Sequence, residues 1–403
     1  MRAPRLHAVF SVFSLARYAA LLEPRELRLT IAASMIGRLP IGITGLAILL
    51  LVQTATDSFA RGGAATACYV IGLATVAPAL GRLIDRGGPR RTLLLCALAF
   101  PAALVLLVMA VRASAPAWVV LMWAALAGAA FPPITVCMRT YFRQQLRNED
   151  LLAAAYSLES VLIELIFIVG PLLVALFVAF ASADAAVLFA AACGCGGTLI
   201  FLRSPPLLAW RLAPRSAPSL LGPLAEPGFM ALIAVILCYS MAFGLLEVGL
   251  TAYATELGRP ALAGVLLGLM SAGSAFGGLA YGSRSWHLPL ARQFAAMLAL
   301  MALGLGVLTL PWTPWPFAFW SIFAGMVMAP ALIIQSMLIA RTARAEQMTE
   351  AFTWSASALL SGVGIGIAAG GALLEVFRSP AALGAGAGAA LLAAGGACLL
   401  RRA

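Results

Sequence analysis

The sequence predicts an all-α integral membrane protein whose twelve transmembrane helices form two pseudo-symmetric bundles of six. Three observations lead to this fold class. Hydrophobic residues make up 63% of the 403 positions and charged residues only 10%, where a soluble domain has roughly 25% charged residues. Apolar runs long enough to cross a bilayer recur along the chain, and a weak repeat relates its two halves.

Twelve apolar runs reach the length of about 20 residues that a helix needs to span the hydrocarbon core. A helix satisfies its own backbone hydrogen bonds, as the interior of a bilayer requires. We therefore predict transmembrane helices near residues 27–53, 64–85, 91–112, 117–141, 151–180, 184–203, 228–251, 261–282, 289–310, 315–341, 350–376 and 380–400.

The longest polar interruption separates the sixth helix from the seventh. Six prolines lie between residues 203 and 227, so no continuous helix crosses this stretch. The predicted units are an N-terminal segment, a first bundle, a cytoplasmic linker and a second bundle, at residues 1–26, 27–203, 204–227 and 228–403. In the first unit, Arg17 interrupts the apolar run, which favours an interfacial helix on the inner leaflet over a cleaved signal peptide.

The two predicted bundles share a faint internal repeat. When the second half is shifted by 197 residues onto the first, two glycines and a proline fall on residues of the same type. A shift of 196 residues aligns two aromatic residues and another pair of glycines. The pairs are Gly81 with Gly278, Gly128 with Gly325, Pro133 with Pro330, Tyr156 with Phe352 and Gly170 with Gly366. Parallel repeats of this kind place a binding site between the halves near mid-bilayer.

All 26 basic residues are arginines, and their placement indicates the topology. With twelve spans, 21 of them lie on the side that holds both termini, and the opposite side holds only Arg61, Arg112, Arg259 and Arg378. Positive charge concentrates on the cytoplasmic side of membrane proteins. We therefore predict cytoplasmic termini in a bacterial inner membrane, and we attribute the net charge of +11 to topology and not to nucleic-acid binding.

A short charged hairpin joins the second and third predicted helices. It carries Gly81, Asp85, Arg86, Gly88 and Arg90 between two strongly apolar runs. The hairpin resembles the loop between helices 2 and 3 of the major facilitator superfamily, which reads G-x-L-a-D-R-x-G-R-[RK]-x-x-L. The resemblance implies a twelve-helix secondary transporter in which this hairpin takes part in gating.

The resemblance extends over about residues 27–376. The runs Gly37–Gly42, Ala155–Leu165 and Thr349–Trp354, in the first, fifth and eleventh helices, are similar to a bacterial branch of the family. In the second half, Gly277–Arg284 is a degenerate copy of the hairpin, and its Gly282 stands where the first copy has its aspartate.

We expect Asp85 to have two partners when one side of the transporter is closed. It would face the start of the eleventh helix near Glu350–Trp354, where the helix dipole favours an anion. It would also pair with a nearby arginine, either Arg139 at the end of the fourth helix or Arg86.

Four ionisable residues lie well inside predicted spans: Arg38, Glu159, Glu164 and Glu247. Each costs about 2.5–3.5 kcal/mol at the centre of a membrane helix, so each needs a partner or a function. Arg38 lies at a depth that either Glu159 or Glu164 reaches, as a fixed buried pair or as part of a proton or substrate site. Glu247 shares its span with no basic residue and is the predicted proton carrier, with a neutral, hydrogen-bonded glutamate as the alternative.

Four further side chains within spans are candidates for a cavity lining: Trp123, Tyr239, Gln335 and Trp354. Each is equally well interpreted as packing or as part of an interfacial aromatic belt. Pro132-Pro133 and Pro330 interrupt the fourth and tenth helices at matching points, where a kink would let the cavity walls bend.

Histidine and cysteine patterns argue against an enzyme or a metalloprotein. His7 and His287 lie outside the spans, and neither an H-E-x-x-H motif nor a nucleophile elbow is present. Cys193-Gly194-Cys195 has too short a spacing for tetrahedral chelation. We expect no catalytic residue, no metal site and no cofactor.

The sequence therefore predicts a monomeric transporter that exports a small organic molecule by alternating access, coupled to protons. Among the four interior charges, acids outnumber bases three to one, which favours a cationic or zwitterionic substrate. A solute uptake symporter and a transport-inactive sensor or scaffold on the same fold are the alternatives.

Overall fold

The computed structural model describes residues 16–208, 210, 222–259 and 262–400. All regular secondary structure in these residues is helical, and the predicted all-α membrane fold is confirmed. Twelve helices are long and apolar enough to span a membrane, and we number them α1 to α12. They are Arg25–Thr56, Arg61–Gly87, Pro89–Arg112, Ala117–Gln145, Glu149–Phe180, Ala183–Leu202, Pro227–Glu256, Leu262–Gly282, Leu290–Leu308, Pro314–Thr342, Ala345–Leu374 and Ser379–Leu399.

Proline interrupts three of these spans. The breaks fall at Leu39 in α1, at residues 130–133 in α4 and at residues 326–327 in α10. The break in α4 contains the two predicted prolines. In α10 the break precedes Pro330, because proline is tolerated in the first turn of a helix, where its missing N–H would have no partner.

The charged hairpin between α2 and α3 turns through a single residue. Gly88 has φ 80° and ψ 164°, a left-handed conformation that glycine adopts without steric cost. Pro89 follows as the first residue of α3, where its fixed φ suits a helix start. We call the membrane face that holds this turn the motif side, and the opposite face the far side.

The apolar core joins the two halves near the motif side. One cluster of buried side chains includes Ile84 and Tyr156 of the first half and continues through the second half. A separate cluster, with Leu51 and Phe100, fills the rest of the first half. Tyr156 meets Phe352 edge to face, with ring centroids 6.2 Å apart, so the aromatic pair of the sequence repeat forms a contact between halves.

Glycines at equivalent positions of the repeat allow two helix crossings. A Cβ on Gly128 of α4 would overlap the carbonyl oxygen of Tyr69 in α2 and lie 2.8 Å from the nitrogen of Leu73. A Cβ on Gly325 of α10 would overlap the carbonyl oxygen of Met270 in α8. The repeat therefore corresponds to the same backbone contact in each half.

The N-terminal segment and the linker are only partly described. A short helix, Ala16–Leu22, precedes α1, and we call it the N-terminal arm. Tyr18 and Leu21 are buried against protein, so this part docks on the bundle, and its interfacial position in the membrane remains a prediction. Residues 1–15 and 211–221 lie outside the described residues. The predicted unit boundaries remain predictions.

We predict that Gly128→Ala destabilises the protein by about 1–3 kcal/mol, because the added methyl group forces α2 and α4 apart. Thermal unfolding in detergent would measure the change. Gly63→Ala in α2 is the matched control, since a Cβ there meets no atom within 4 Å, and alanine is the better helix former by about 1 kcal/mol. Equal melting temperatures for the two variants would contradict this account of the crossing.

Candidate functional site

Asp85 binds the start of α11, as predicted. Its two carboxylate oxygens accept the backbone N–H groups of Thr349, at 3.0 Å, and Glu350, at 2.7 Å. The α-helical part of α11 begins at Met348, after a 3₁₀ turn. The first N–H groups of an α-helix have no partner within the helix, and the helix dipole favours negative charge there. Asp85 therefore attaches the last turn of α2, in the first half, to the first turn of α11, in the second.

An ion pair that was not predicted from the sequence lies beside this contact. Arg82 Nη2 lies 2.5 Å from Glu350 Oε1, and Arg82 Nε donates to the same oxygen at 3.0 Å. A Cβ on Gly81 would lie 2.9 Å from the carbonyl oxygen of Thr349, so glycine permits the close approach. Arg82 and Asp85 are three residues apart and share a helix face, a spacing that was available from the sequence.

The predicted arginine partners of Asp85 are wrong. Arg86 is exposed at the motif side, as is Arg90 of the hairpin. Arg139 lies instead inside the first half, where its Nε is 3.5 Å from Glu159 Oε2. The two backbone N–H groups already satisfy the Asp85 carboxylate, so it needs no arginine in this conformation.

Further contacts between the halves join α4 and α5 to α10 on the motif side. Arg143 Nε donates to the carbonyl oxygen of Ala340 at 3.0 Å. Arg341 Nη2 of α10 lies 3.3 Å from Glu149 Oε2 of α5. Within the first half, Arg143 Nη1 lies 3.7 Å from the other oxygen of Glu149. These polar contacts and the Asp85 contact close the motif side.

On the far side, the ion pairs among the described residues stay within one half. Arg112 pairs with Asp184 in the first half, and Arg378 Nε lies 3.6 Å from Glu256 Oε2 in the second. A cavity of about 470 Å³ lies here, between α7 and α11. Its lining residues are Glu247, Val248, Thr251, Ala252, Thr255, Glu256, Ile367, Leu374 and Phe377.

Glu247 lies in the wall of this far-side cavity. It is exposed, and no basic side chain is among the lining residues. At 100° per residue, it lies about 160° around α7 from Gly249, which packs against Leu383 of α12. Glu247 therefore points away from α12.

Arg38 forms the predicted buried ion pair with Glu159. Arg38 Nη2 of α1 lies 2.9 Å from Glu159 Oε1 of α5, and both side chains are only 2% exposed. Arg139 of α4 approaches the second carboxylate oxygen and is 15% exposed. We call these three residues the arginine cluster. It sets two guanidinium groups against one carboxylate, so Glu159 balances only half of its positive charge.

Glu164 takes no part in the arginine cluster. It is partly buried, and its Oε1 accepts a hydrogen bond from Ser274 Oγ of α8 at 2.8 Å. This contact crosses between the halves near the middle of α5. The alternative pairing of Arg38 with Glu164 is therefore not found.

Two of the four candidate lining residues join a buried hydrogen-bond network. The hydroxyl of Tyr239 in α7 donates to Gln335 Oε1 in α10, and Gln335 Nε2 donates to Ser355 Oγ in α11 at 2.6 Å. The indole N–H of Trp354 is buried with no hydrogen-bond partner among the described residues. Trp123 packs against the apolar core of the first half. None of the four lines the far-side cavity.

A sequence model of the major facilitator superfamily matches residues 30–292, which is more than half of the chain. The protein belongs to this superfamily. Its fold is that of secondary transporters, whose two six-helix halves enclose a substrate site near mid-membrane. No curated protein sequence matches the chain significantly.

Solved structures of major facilitator proteins share the fold at low sequence identity. The human organic anion transporter MFSD10 (TETRAN) is 16% identical, with a TM-score of 0.74 over 93% of this chain and 100% of that one. A bacterial homologue of the iron transporter ferroportin in an outward-facing state is 13% identical, with a TM-score of 0.76 over 94% and 99%. The Escherichia coli fucose:proton symporter FucP is 10% identical, with a TM-score of 0.69 over 93% and 98%.

We predict that Asp85→Asn weakens closure of the motif side by about 1–3 kcal/mol. The amide keeps the shape of the carboxylate but loses its charge, and one of its two terminal atoms becomes a donor facing two N–H donors. Hydrogen–deuterium exchange should rise at the start of α11 while the protein remains folded. Asp57→Asn, at the far-side end of α1, is the control; wild-type exchange in Asp85→Asn would contradict the gating role.

We predict that single substitutions in the arginine cluster lower the stability of the protein by different amounts. Glu159→Gln leaves two unpaired guanidinium groups and should cost about 3–5 kcal/mol, as for other broken buried pairs. Arg139→Gln leaves a balanced Arg38–Glu159 pair and should cost less. Melting temperatures of the single variants and of Arg38→Gln combined with Glu159→Gln would test direct pairing, and strictly additive effects in the double variant would exclude it.

Proposed function

We propose that the protein is a secondary active transporter that exports a small organic molecule in exchange for protons across a bacterial inner membrane. The observation that carries the proposal is the position of Glu247. It is an acidic side chain in the wall of the far-side cavity, with no basic group lining that cavity.

The arginine distribution supports a cytoplasmic motif side. On that assignment the contacts made by Asp85, Arg82 and Arg143 close the cytoplasmic side, and the far-side cavity opens outward. Protons from outside then reach Glu247 directly. In the opposite conformation, the same carboxylate would release its proton to the cytoplasm.

The three interior glutamates differ in what holds them. Glu159 is an ion-pair partner of two arginines, and Glu164 accepts a hydrogen bond across the halves. Glu247 has neither kind of partner among the described residues. A carboxylate that is free to bind either a proton or a cationic group cannot hold both, and that competition gives obligatory exchange. Glu247 is therefore the proposed site of coupling.

The interior charges support a substrate with a basic group. Glu247 and Glu256 make the cavity wall acidic, which attracts a cationic centre. The presence of Arg139 in the arginine cluster lowers the predicted three-to-one excess of acids, because the interior then holds two arginines and three glutamates. A zwitterion suits this mixed interior charge better than a simple cation.

We predict that Glu247→Gln abolishes proton-driven transport in proteoliposomes and keeps substrate exchange, which needs no net proton movement. Substrates would first be identified by thermal shift over a panel of organic cations and zwitterions. Glu256→Gln is the matched control, since Glu256 lines the same cavity but is held by Arg378 and by both the N–H and the hydroxyl of Ser379. Transport driven by a pH gradient at the wild-type rate in Glu247→Gln would remove this residue from the coupling step.

The direction of coupling needs a separate measurement. Vesicles with an imposed pH gradient should expel substrate from the compartment that faces the motif side when protons enter from the far side. Accumulation of substrate together with protons would instead support an uptake symporter.

A further inference from the structure

The hairpin motif is intact in the first half and has lost its aspartate in the second. Asp85 attaches α2 to α11, and the repeat places Gly282 of α8 at the equivalent position. The helix that corresponds to α11 is α5, because Tyr156 matches Phe352 in the repeat. The α8–α5 contact therefore has no carboxylate equivalent to Asp85, and a different group must stabilise it.

The N-terminal arm places a tyrosine hydroxyl at this contact. Tyr18 is only 7% exposed, and its hydroxyl lies 2.8 Å from Ser157 Oγ of α5 and 3.0 Å from the carbonyl oxygen of Leu279 in α8. A Cβ on Gly282 would lie 2.5 Å from the Tyr18 hydroxyl oxygen. The glycine that replaces the aspartate therefore leaves room for a side chain from the N-terminal arm.

The hydrogen bonds around Tyr18 and Ser157 connect the two halves in every proton arrangement. Ser157 Oγ also lies 2.6 Å from the carbonyl oxygen of Gly278. Both carbonyl oxygens belong to α8 and can only accept, and each hydroxyl has one proton to donate. Tyr18 donates to Leu279 while Ser157 donates to Gly278, or one hydroxyl donates to the other, which then donates to its own carbonyl oxygen on α8. Every arrangement ends on α8 in the second half.

Burial of the N-terminal arm supports this contact. Leu21 is three residues after Tyr18, on the same face of the short helix, and is only 3% exposed within the apolar cluster that joins the halves. The arm thus contributes both an apolar and a polar contact on the motif side. These contacts come from outside the twelve spans.

We propose that the N-terminal arm is a gating element, and that Tyr18 replaces in the second half the aspartate that closes the first. The hydrogen bonds of Tyr18 and Ser157 require α5 and α8 to lie together at the motif side. When that side opens, α5 and α8 separate, and Tyr18 must release at least one of them. Tyr18 therefore favours the conformation in which the motif side is closed. This inference rests on the fold and holds whichever molecule is transported.

Hydrogen–deuterium exchange of the full chain in lipid nanodiscs tests the proposal without a substrate. Tyr18→Phe keeps the ring and removes the hydroxyl. Loss of one hydrogen bond should increase the population of the motif-side-open state by about two- to tenfold. Exchange should rise by that factor at the starts of α5 and α11 and at the ends of α2 and α8. Exchange in far-side segments should stay at the wild-type rate. Tyr18→Ala, which also loses the buried ring, should give a larger increase at the same segments.

Tyr253→Phe is the matched control. Its hydroxyl donates to the carbonyl oxygen of Trp312 at 3.0 Å, so this variant loses a tyrosine hydrogen bond within one half, on the far side. Equal exchange in Tyr18→Phe and Tyr253→Phe at the motif-side segments would overturn the proposal. An increase confined to the N-terminal arm and its immediate contacts on α5 and α8 would also overturn it, because the arm would then rest on the bundle without influencing the gate.

Discussion

We expect the contact between the Asp85 carboxylate and the start of α11 to determine which side of the protein is closed. It joins the two halves through two backbone N–H groups that no residue of α11 itself satisfies. Around it, Arg82, Gly81 and the Arg143 contact with α10 are arranged so that the halves meet on one side of the membrane. On the far side, a cavity lies between α7 and α11 of the second half, and Glu247 is exposed in its wall.

The closed motif side contains two helix contacts, α2 with α11 and α8 with α5, that occupy equivalent positions in the repeat but differ in chemistry. Where α2 meets α11, a carboxylate faces a helix N-terminus. Where α8 meets α5, the carboxylate is missing, a glycine leaves space and a hydroxyl from the N-terminal arm occupies it. The halves are thus related in backbone and different in chemistry. Such a difference allows the two contacts to be released at different energetic cost.

Most of the fold was predictable, because span length and proline breaks are local properties of the sequence and the glycine repeat is visible when its two halves are aligned. The contact of Asp85 with α11 was predictable from the hairpin motif together with the helix dipole. The position of Arg139 was not predictable, because depth along a helix does not say which neighbouring helix a side chain faces. Arg139 contacts Glu159, and Asp85 binds backbone N–H groups instead. The Tyr18 contacts were also inaccessible, since they join residues 139 and 261 positions apart in the chain and no periodic pattern connects them.

The arginine cluster gives the protein an electrical property as well as a structural one. Arg38, Arg139 and Glu159 together have a net charge of +1, because one glutamate faces two arginines. In alternating access, the closed side that excludes water is first on one side of this charge and then on the other. The fraction of the transmembrane voltage at the charge therefore changes, even though the residues hardly move. An elementary charge that crosses the full field gains about 2.3 kcal/mol per 100 mV. We therefore expect the membrane voltage to act on the balance between the two conformations through a cluster whose Arg38 and Glu159 side chains are only 2% exposed.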